Sequence, residues 1–223
     1  MKIIAVIPCL NEEHFINDVV VKTIKHVDRV VVVDDGSKDA TARVAQEAGA
    51  EVISHPHRQG AGAATRTGFE TALKLGADIV VTLDGDGQHN PEEISRLLAP
   101  ILKGRADLVI GSRFLDPATN MPAYRKLGID TITWLFNWGS PVRVTDSQSG
   151  FRAHSRKLLE AVKITRKDFS FSIEVLVKCR RLGLVIAEVP ISCLYHAKGS
   201  TMDPLSHGIA VVWSVFRHRF TKK

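Results

Sequence analysis

The chain has 223 residues, of which 44% are hydrophobic, and this is enough to bury the core of one domain. Lys and Arg number 30 against 24 Asp and Glu, an excess that favours an anionic ligand or an anionic membrane surface. The basic residues are scattered and form no nucleic-acid recognition motif, which argues against a nucleic-acid partner.

Strands and helices alternate through the first half of the chain. Continuous runs of apolar and β-branched residues predict strands at 2–7, 30–33, 51–55 and 79–83. Apolar residues at helical spacing predict helices at 15–25, 39–48 and from about 61 to 75. Because the strands lack polar alternation, we expect them to be buried on both faces of a mainly parallel, doubly wound α/β sheet.

The periodicity weakens in the second half. A strand is predicted at 108–110, helices at 124–138 and 172–182, and a loop at 146–150. A last strand at 185–191 contains Pro190, which cannot donate a ladder hydrogen bond and therefore favours the edge of the sheet. We expect a single domain over residues 1–203.

The segment 204–223 differs from the rest because it combines aromatic and β-branched residues with a basic end. It is too short to span a bilayer but suits a headgroup layer, and a terminal helix packed on the sheet is the alternative. The sequence has no signal-peptide pattern at its start and no apolar run of about 18 residues. We therefore expect a cytoplasmic protein whose membrane contact, if any, is peripheral.

The most informative loop follows the strand at 79–83 and contains Asp84, Gly85, Asp86 and Gln88. The carboxyl ends of parallel strands are where open α/β sheets bind ligands, and there the two carboxylates can turn toward one point. An all-oxygen ligand set predicts Mg²⁺ or Mn²⁺, since Zn²⁺ would favour His or Cys. Asp and Gly are also turn residues, so a plain turn is the alternative.

Two other strand ends carry acids, Glu12 after the first strand and Asp35 after the second. Parallel strands bring both to the same edge as Asp84, where a carboxylate can bind ribose hydroxyls or a base N–H. The alternatives are local, namely an Asx turn at 34–37 and a helix cap at 11–12. We expect acids from three strand ends to surround one crevice, where a cation would offset the charge of a departing diphosphate.

Residues 60–64, Gly-Ala-Gly-Ala-Ala, resemble a dinucleotide-binding fingerprint that lacks its third glycine. The fingerprint should follow its strand directly, but a loop with Pro56 intervenes, so close packing is the favoured interpretation. Arg113, just after a strand, is positioned to meet a phosphate, although a solvated Arg is the alternative. The isolated His89 is interpreted as structural.

Together these segments resemble the inverting glycosyltransferases of family 2, which have the GT-A fold, and among them the dolichyl-phosphate and polyprenyl-phosphate mannose or glucose synthases. The matching segments lie at 7–12, 33–37, 60–64, 84–89, 111–114, 146–151 and 188–191. The resemblance implies transfer of a hexose from a GDP-mannose or UDP-glucose type of donor to an acceptor, chiefly a polyprenyl phosphate.

The resemblance also implies roles for individual residues. It implies a nucleotide-sugar site built from Pro8, Leu10, Glu12, Val33, Asp35, Asp84, Gly85 and Asp86. Metal ligation is implied for Asp86 and Gln88, with Asp84 assisting. Arg113 is implied to contact the donor diphosphate or the acceptor phosphate.

The acceptor side departs from the family pattern. Members with a lipid-phosphate acceptor usually carry an Arg and a Gly-x-Ser-Lys after the last strand, whereas this chain has His196 and Met202 at those positions. Lys198 can replace one of the two missing charges. A phosphate acceptor needs no general base, but a sugar or protein hydroxyl would, and Asp146 is the candidate in that case. A transferase of hydroxyl acceptors, a nucleotide-linked dehydrogenase and a non-catalytic nucleotide-sugar-binding protein are the alternatives.

Overall fold

A computed structural model describes the backbone of residues 1–115, 121, 123–140 and 142–194, and the side chains of all of these except 123–125. The strands are β1 (Ile3–Cys9), β2 (Arg29–Asp34), β3 (Glu51–Ser54), β4 (Ile79–Thr82), β5 (Leu108–Ser112), β6 (Arg152–Ser155) and β7 (Ile186–Pro190). The helices are α1 (Ile16–Thr23), α2 (Thr41–Glu47), α3 (Ala61–Lys74), α4 (Ile94–Leu102), α5 (Ala123–Asn137), α6 (Arg156–Ala161) and α7 (Phe171–Arg181). A short 3₁₀ turn, Pro91–Glu93, precedes α4, and the Asn90 side chain caps it by accepting from the Glu92 N–H.

The strands form one sheet in the order β3-β2-β1-β4-β6-β5-β7. β1 pairs in parallel with β2 and β4, β2 with β3, and β5 with β7. The carboxyl ends of β1, β2 and β4 therefore meet at one edge of the sheet. This confirms the mainly parallel α/β sheet expected from the sequence and places the predicted acids at neighbouring strand ends.

Helices cover both faces of the sheet. Alternate residues of β1 point to opposite sides, so that Ile4 and Val6 join one core cluster while Ala5 and Ile7 join the other. The first cluster includes buried residues of α3, α5, α6 and α7, and the second includes those of α1, α2 and α4. All four residues of β4 are buried, as its continuous apolar run predicts.

The sequence pattern did not predict β6. This strand, Arg152–Ser155, is antiparallel and lies between β4 and β5. Its residues are mostly polar, but the backbone bonds to strands that are distant in the chain, and Arg152 and His154 are both buried. Long-range pairing therefore decides its conformation, which local periodicity does not record.

The other end of the sheet is formed by β7, whose Pro190 pairs with Ser112 of β5. The edge position predicted for this strand is confirmed. In the part of the chain that the structure describes, no helix is both long enough and apolar enough to cross a bilayer. The segment 204–223 and its expected membrane contact lie outside the described residues.

Candidate active site

Internal hydrogen bonds set the shape of the acidic loop after β4. Both oxygens of the Asp86 carboxylate accept from Gln88, Oδ1 from the backbone N–H at 3.0 Å and Oδ2 from Nε2 at 2.6 Å. The Asp84 side chain is 49% exposed, and its backbone N–H donates to His89 Nδ1 at 3.3 Å. Asp86 and Gln88, two of the three implied metal ligands, therefore lie in direct contact.

His89 packs beneath the acidic loop, between the Asp84 backbone and the Phe151 ring. Its ring is buried and stacks on Phe151, with ring centroids 5.2 Å apart. Burial lowers the pKa of His89 to about 4, so the ring is neutral and its Nδ1 can accept the Asp84 N–H. These contacts agree with the structural role expected for this imidazole.

Two glycines let the acids approach their neighbours. A Cβ on Gly85 would lie 2.5 Å from the Cys9 sulfur, so only glycine allows β1 and the acidic loop to pack this closely. A Cβ on Gly150 would lie 2.7 Å from an oxygen of Asp84. The loop after residue 146 therefore fixes the position of Asp84 from the opposite side.

Glu12 joins the acids of the β4 loop from the end of β1. Burial and then the charges of Asp86 and Asp84 raise the pKa of Glu12 to about 7. The partial burial of Asp84 also raises its pKa, while the nearby charges of Arg113 and Arg152 oppose this effect. Acids from two strand ends thus form one cluster, in which the charges of Asp86 and Asp84 disfavour the ionisation of Glu12.

The chemistry of this cluster fits a divalent cation. Asp84, Asp86 and Gln88 offer carboxylate and amide oxygens, the donors that Mg²⁺ and Mn²⁺ prefer. Mutual repulsion among the carboxylates, seen in the raised pKa of Glu12, is what a bound cation would relieve. Among the described residues no group of three His, Cys, Asp or Glu side chains is arranged to hold a metal ion, and Gln88 adds an amide beside Asp86.

Asp35, the acid at the end of the second strand, makes its hydrogen bonds to residues 55–60 and none to the acids of the β4 loop. Asp35 is buried, and its Oδ1 contacts His55 Nδ1 at 2.7 Å. Backbone N–H groups of Gln59 and Gly60 donate to Oδ1 and Oδ2 at 2.9 and 2.7 Å. Asp34 accepts from the Ser37 N–H, which is the predicted Asx turn. Asp35 therefore fastens the start of α3 to the sheet.

Arg113 and Asp146 form a buried pair at the end of β5. Arg113 Nε and Nη2 donate to the two oxygens of Asp146 at 2.7 and 2.9 Å, and its backbone N–H adds a third bond. Backbone N–H groups of Gln148 and Ser149 also donate to this carboxylate. Burial alone would raise the pKa of Asp146, but the charge and hydrogen bonds of Arg113 outweigh it and lower the pKa. The structure therefore argues against Asp146 as a general base and gives it the role of holding Arg113.

A small cavity lies beside Asp84, and one of its lining residues is Arg152, a positively charged side chain that the sequence did not single out. It is lined by Pro8, Thr82, Asp84, Gly150, Arg152 and His154, among others. The Arg152 guanidinium donates to the carbonyls of Ser147, Ser149 and Ser172. Burial lowers the pKa of Arg152 to about 10, which leaves it charged near neutral pH. The sequence signal that could have identified Arg152 is its position directly after the matching segment 146–151.

The remaining predicted residues are distributed as follows. Pro8 lines the cavity, Leu10 is half-buried after β1, and Val33 is fully buried in β2. His196 and Lys198 lie outside the described residues. The chain before them is held at the site, because the backbone N–H of Leu194 donates to the Gln88 carbonyl at 2.9 Å.

The glycine-rich segment at 60–64 does not offer a phosphate site. The Lys167 carbonyl accepts the Gly62 N–H at 2.8 Å, so the start of α3 already has a protein partner. A Cβ on Gly60 or Gly62 would lie 2.3 Å from a carbonyl oxygen of Lys167 or Arg166. Close packing is therefore the reason for these small residues, and the dehydrogenase interpretation loses its main support.

Comparison with known proteins gives consistent results. Residues 4–168 match the family described as glycosyl transferase family 2. A UDP-N-acetylglucosamine–dolichyl-phosphate N-acetylglucosaminyltransferase of Methanococcus voltae is 37% identical, over 85% of this chain and 84% of the relative. A polyprenol monophosphomannose synthase of Mycolicibacterium smegmatis is 32% identical, over 85% of this chain and 76% of the relative.

A solved structure supports the same assignment. Glucosyl-3-phosphoglycerate synthase from Mycobacterium tuberculosis, in complex with Mn²⁺, UDP-glucose and phosphoglyceric acid, matches with a TM-score of 0.79 and 26% identity. The match covers 100% of this chain and 81% of that protein. The GT-A fold implied by the sequence resemblance is confirmed, and this chain belongs to glycosyltransferase family 2.

Proposed function

We propose that this glycosyltransferase moves a hexose from a nucleoside-diphosphate sugar to a polyprenyl phosphate, with inversion at the anomeric carbon. The charge pattern of the site carries the proposal. Glu12, Asp84 and Asp86 form an acidic cluster, and Arg113 and Arg152 lie close enough to influence Asp84. A cation-bound diphosphate suits the acids, and a second phosphate suits Arg113, to which Arg152 adds a buried positive charge. The acceptors named for the relatives in M. voltae and M. smegmatis support this choice of substrate.

We assign the donor to the crevice at the ends of β1, β2 and β4. The assigned residues are Pro8, Leu10, Glu12, Val33, Asp35, Asp84, Gly85 and Asp86. The geometry of Asp35 supports its inclusion, since among the described residues only the Gly60 N–H donates to its Oδ2. A carboxylate oxygen can accept a further hydrogen bond, so a donor group of the nucleotide can be added there.

We assign a divalent cation, Mg²⁺ or Mn²⁺, to Asp86 and Gln88, with Asp84 assisting. When bound, the cation would offset the negative charge that grows on the departing diphosphate. The chain itself contributes a preformed acidic loop, in which Asp86 is held by Gln88 and Asp84 is confined by Gly150. The Mn²⁺ complex of the mycobacterial synthase is consistent with such a requirement.

We assign a phosphate as the acceptor group. Its oxygen forms a bond to the anomeric carbon while the bond from that carbon to the donor diphosphate breaks, and the nucleoside diphosphate leaves. A phosphate oxygen is already anionic and needs no base. The engagement of Asp146 by Arg113 favours this route over a hydroxyl acceptor, because it removes the candidate base. Arg113 provides a fixed positive charge for a phosphate.

A lipid-linked acceptor also calls for contact with a membrane surface. Trp134 on α5 and Trp138, the residue after its end, are 60% and 59% exposed, and their ring centroids lie 5.2 Å apart. Leu127, 69% exposed, is on the same helical face two turns earlier. Tryptophan is favoured at the headgroup level of bilayers, so we assign this face of α5 to peripheral membrane contact.

The proposal is tested by following radiolabelled sugar from a panel of UDP- and GDP-sugars into polyprenyl phosphate in detergent. We expect label in an organic-extractable product, and none when polyprenol without its phosphate replaces the acceptor. Label that stays in water-soluble glycan or protein would contradict the phosphate acceptor. Arg113→Lys should lower transfer about 100-fold, because lysine keeps the charge but loses the two-pronged geometry.

A further inference from the structure

Glu188 on the edge strand β7 reaches across to the loop that carries Asp146. Its Oε1 accepts from the Asp146 backbone N–H at 3.0 Å and from the Thr145 hydroxyl at 3.1 Å. Its Oε2 accepts from the Thr145 backbone N–H at 2.7 Å. One carboxylate thus holds two successive residues of the loop.

These bonds act on Arg113 by two routes. Through the backbone, Glu188 holds Asp146, whose carboxylate receives Nε and Nη2 of Arg113. Through Thr145, it reaches Ser112, since the two hydroxyl oxygens lie 2.6 Å apart. Ser112 Oγ in turn accepts the Phe114 N–H at 3.2 Å. Both the side chain and the flanking backbone of Arg113 are therefore fixed by contacts that begin at Glu188.

A carboxylate is the group that these contacts require. Three donors converge on two oxygens, and an amide at this position would turn its own N–H₂ toward a backbone N–H or the Thr145 hydroxyl. Among the described residues no Lys, Arg or His forms an ion pair with Glu188. The Glu188 carboxylate thus takes its hydrogen bonds from the loop that it holds.

We infer that Glu188 is a positioning residue for transfer, which fixes the Arg113 guanidinium through Asp146 and Thr145. This inference rests on the proposed function, in which Arg113 meets a phosphate. Loss of the Glu188 carboxylate would leave the Arg113 charge in place but loosen its direction. A supporting residue of this kind typically changes activity by about 10- to 100-fold.

The test compares Glu188→Gln with Glu51→Gln, the same substitution on the opposite edge strand, where Glu51 pairs only with the exposed Arg29 among the described residues. We expect kcat/KM for polyprenyl phosphate to fall about tenfold or more in Glu188→Gln and to stay within about twofold in Glu51→Gln. In an Arg113→Lys background the Glu188→Gln change should add nothing, because its effect passes through the guanidinium. Independent, multiplying losses would overturn the inference.

A second readout does not depend on activity. The Nε–H signal of Arg113, identified by its absence from the NMR spectrum of Arg113→Lys, should shift in Glu188→Gln but not in Glu51→Gln. If Glu188→Gln does not fold, Thr145→Val removes only the hydroxyl contacts and should shift the same signal. An unchanged signal overturns the inference. If the wild type transfers no sugar to polyprenyl phosphate, the proposed function fails, while the NMR signal still decides whether Glu188 positions Arg113.

Discussion

Glu12 lies just after β1 and has an unusually high pKa for a glutamate. Its pKa rises from 4.5 to about 7 because burial and the charges of Asp86 and Asp84 disfavour the ionised form. The folded chain therefore binds more protons at this site than the unfolded chain between those two values. Linkage then requires that the contribution of Glu12 to stability is present below pH 4.5 and is lost as the pH rises through about 7.

We predict that Glu12→Gln abolishes the loss of stability that accompanies ionisation of Glu12, since the glutamine amide does not ionise. Relative to the variant, the wild type should become less stable between pH 5 and pH 8, as measured by the Tm at a series of pH values. Glu47→Gln, which changes an exposed partner of Arg43, should follow the wild-type profile. Parallel profiles for wild type and Glu12→Gln would contradict the raised pKa of Glu12.

We predict that Gly150→Ala displaces Asp84, because the new Cβ would lie 2.7 Å from the Asp84 carboxylate. Transfer should fall by about 100-fold, the cost of misplacing a binding group by about an ångström. Gly128→Ala in α5 is the matched control, since a Cβ there meets no atom within 4 Å. The control should retain activity and gain up to about 1 kcal/mol of stability. Full activity in Gly150→Ala would contradict the assigned position of Asp84.

At the level of elements, the spacing of apolar residues predicted strands and helices correctly where the burial of a segment follows from its own sequence. The valines of β2 and the apolar stripe of α7 predict their elements to within a few residues. The apolar spacing did not predict β6, because Arg152 and His154 are buried only through the pairing of this strand with β4 and β5. The same long-range effect determines the start of α3, which meets residues 166–168 from a distant part of the chain.

We predict that Gly62→Ala destabilises the junction between α3 and residues 166–168. The added Cβ would meet the Arg166 carbonyl oxygen at 2.3 Å and the Phe171 Cβ at 3.0 Å. Overpacking of this kind costs about 1–3 kcal/mol, and each kcal/mol lowers the Tm of a chain of this size by about 2–4 °C. Thermal unfolding checks the change. An unaltered Tm would mean that the start of α3 does not pack against this loop as described.

At the scale of the whole molecule, the sequence placed the candidate residues at one edge of the sheet but did not predict the direction of each side chain. Alternating strands and helices place Glu12, Asp35 and Asp84 at one edge of the sheet. Which acids face one another depends on loop contacts, and those direct Asp35 to His55 and Gly60. The pairing of Arg113 with Asp146 likewise joins residues far apart in the chain. The spacing of apolar residues along the sequence does not predict such long-range contacts between side chains.

We predict that the double variant Trp134→Ser, Trp138→Ser binds vesicles containing anionic lipid roughly tenfold more weakly or worse, since it loses two exposed aromatic side chains. Leu102→Ser is the control, because Leu102 is 51% exposed but lies on α4, away from this pair. Co-sedimentation with the vesicles measures both. Equal binding by wild type and the double variant would exclude α5 as the contact surface.

The central claim is that the acidic cluster binds a nucleoside diphosphate together with a divalent cation. Isothermal titration calorimetry with UDP and GDP, each with and without Mg²⁺ or Mn²⁺, tests it most directly on wild type, Asp86→Ala and the surface control Glu160→Gln. Nucleotide binding should require the cation in wild type and control, and the affinity should fall at least about tenfold in Asp86→Ala. Equal binding without the cation, or wild-type affinity in Asp86→Ala, would contradict it.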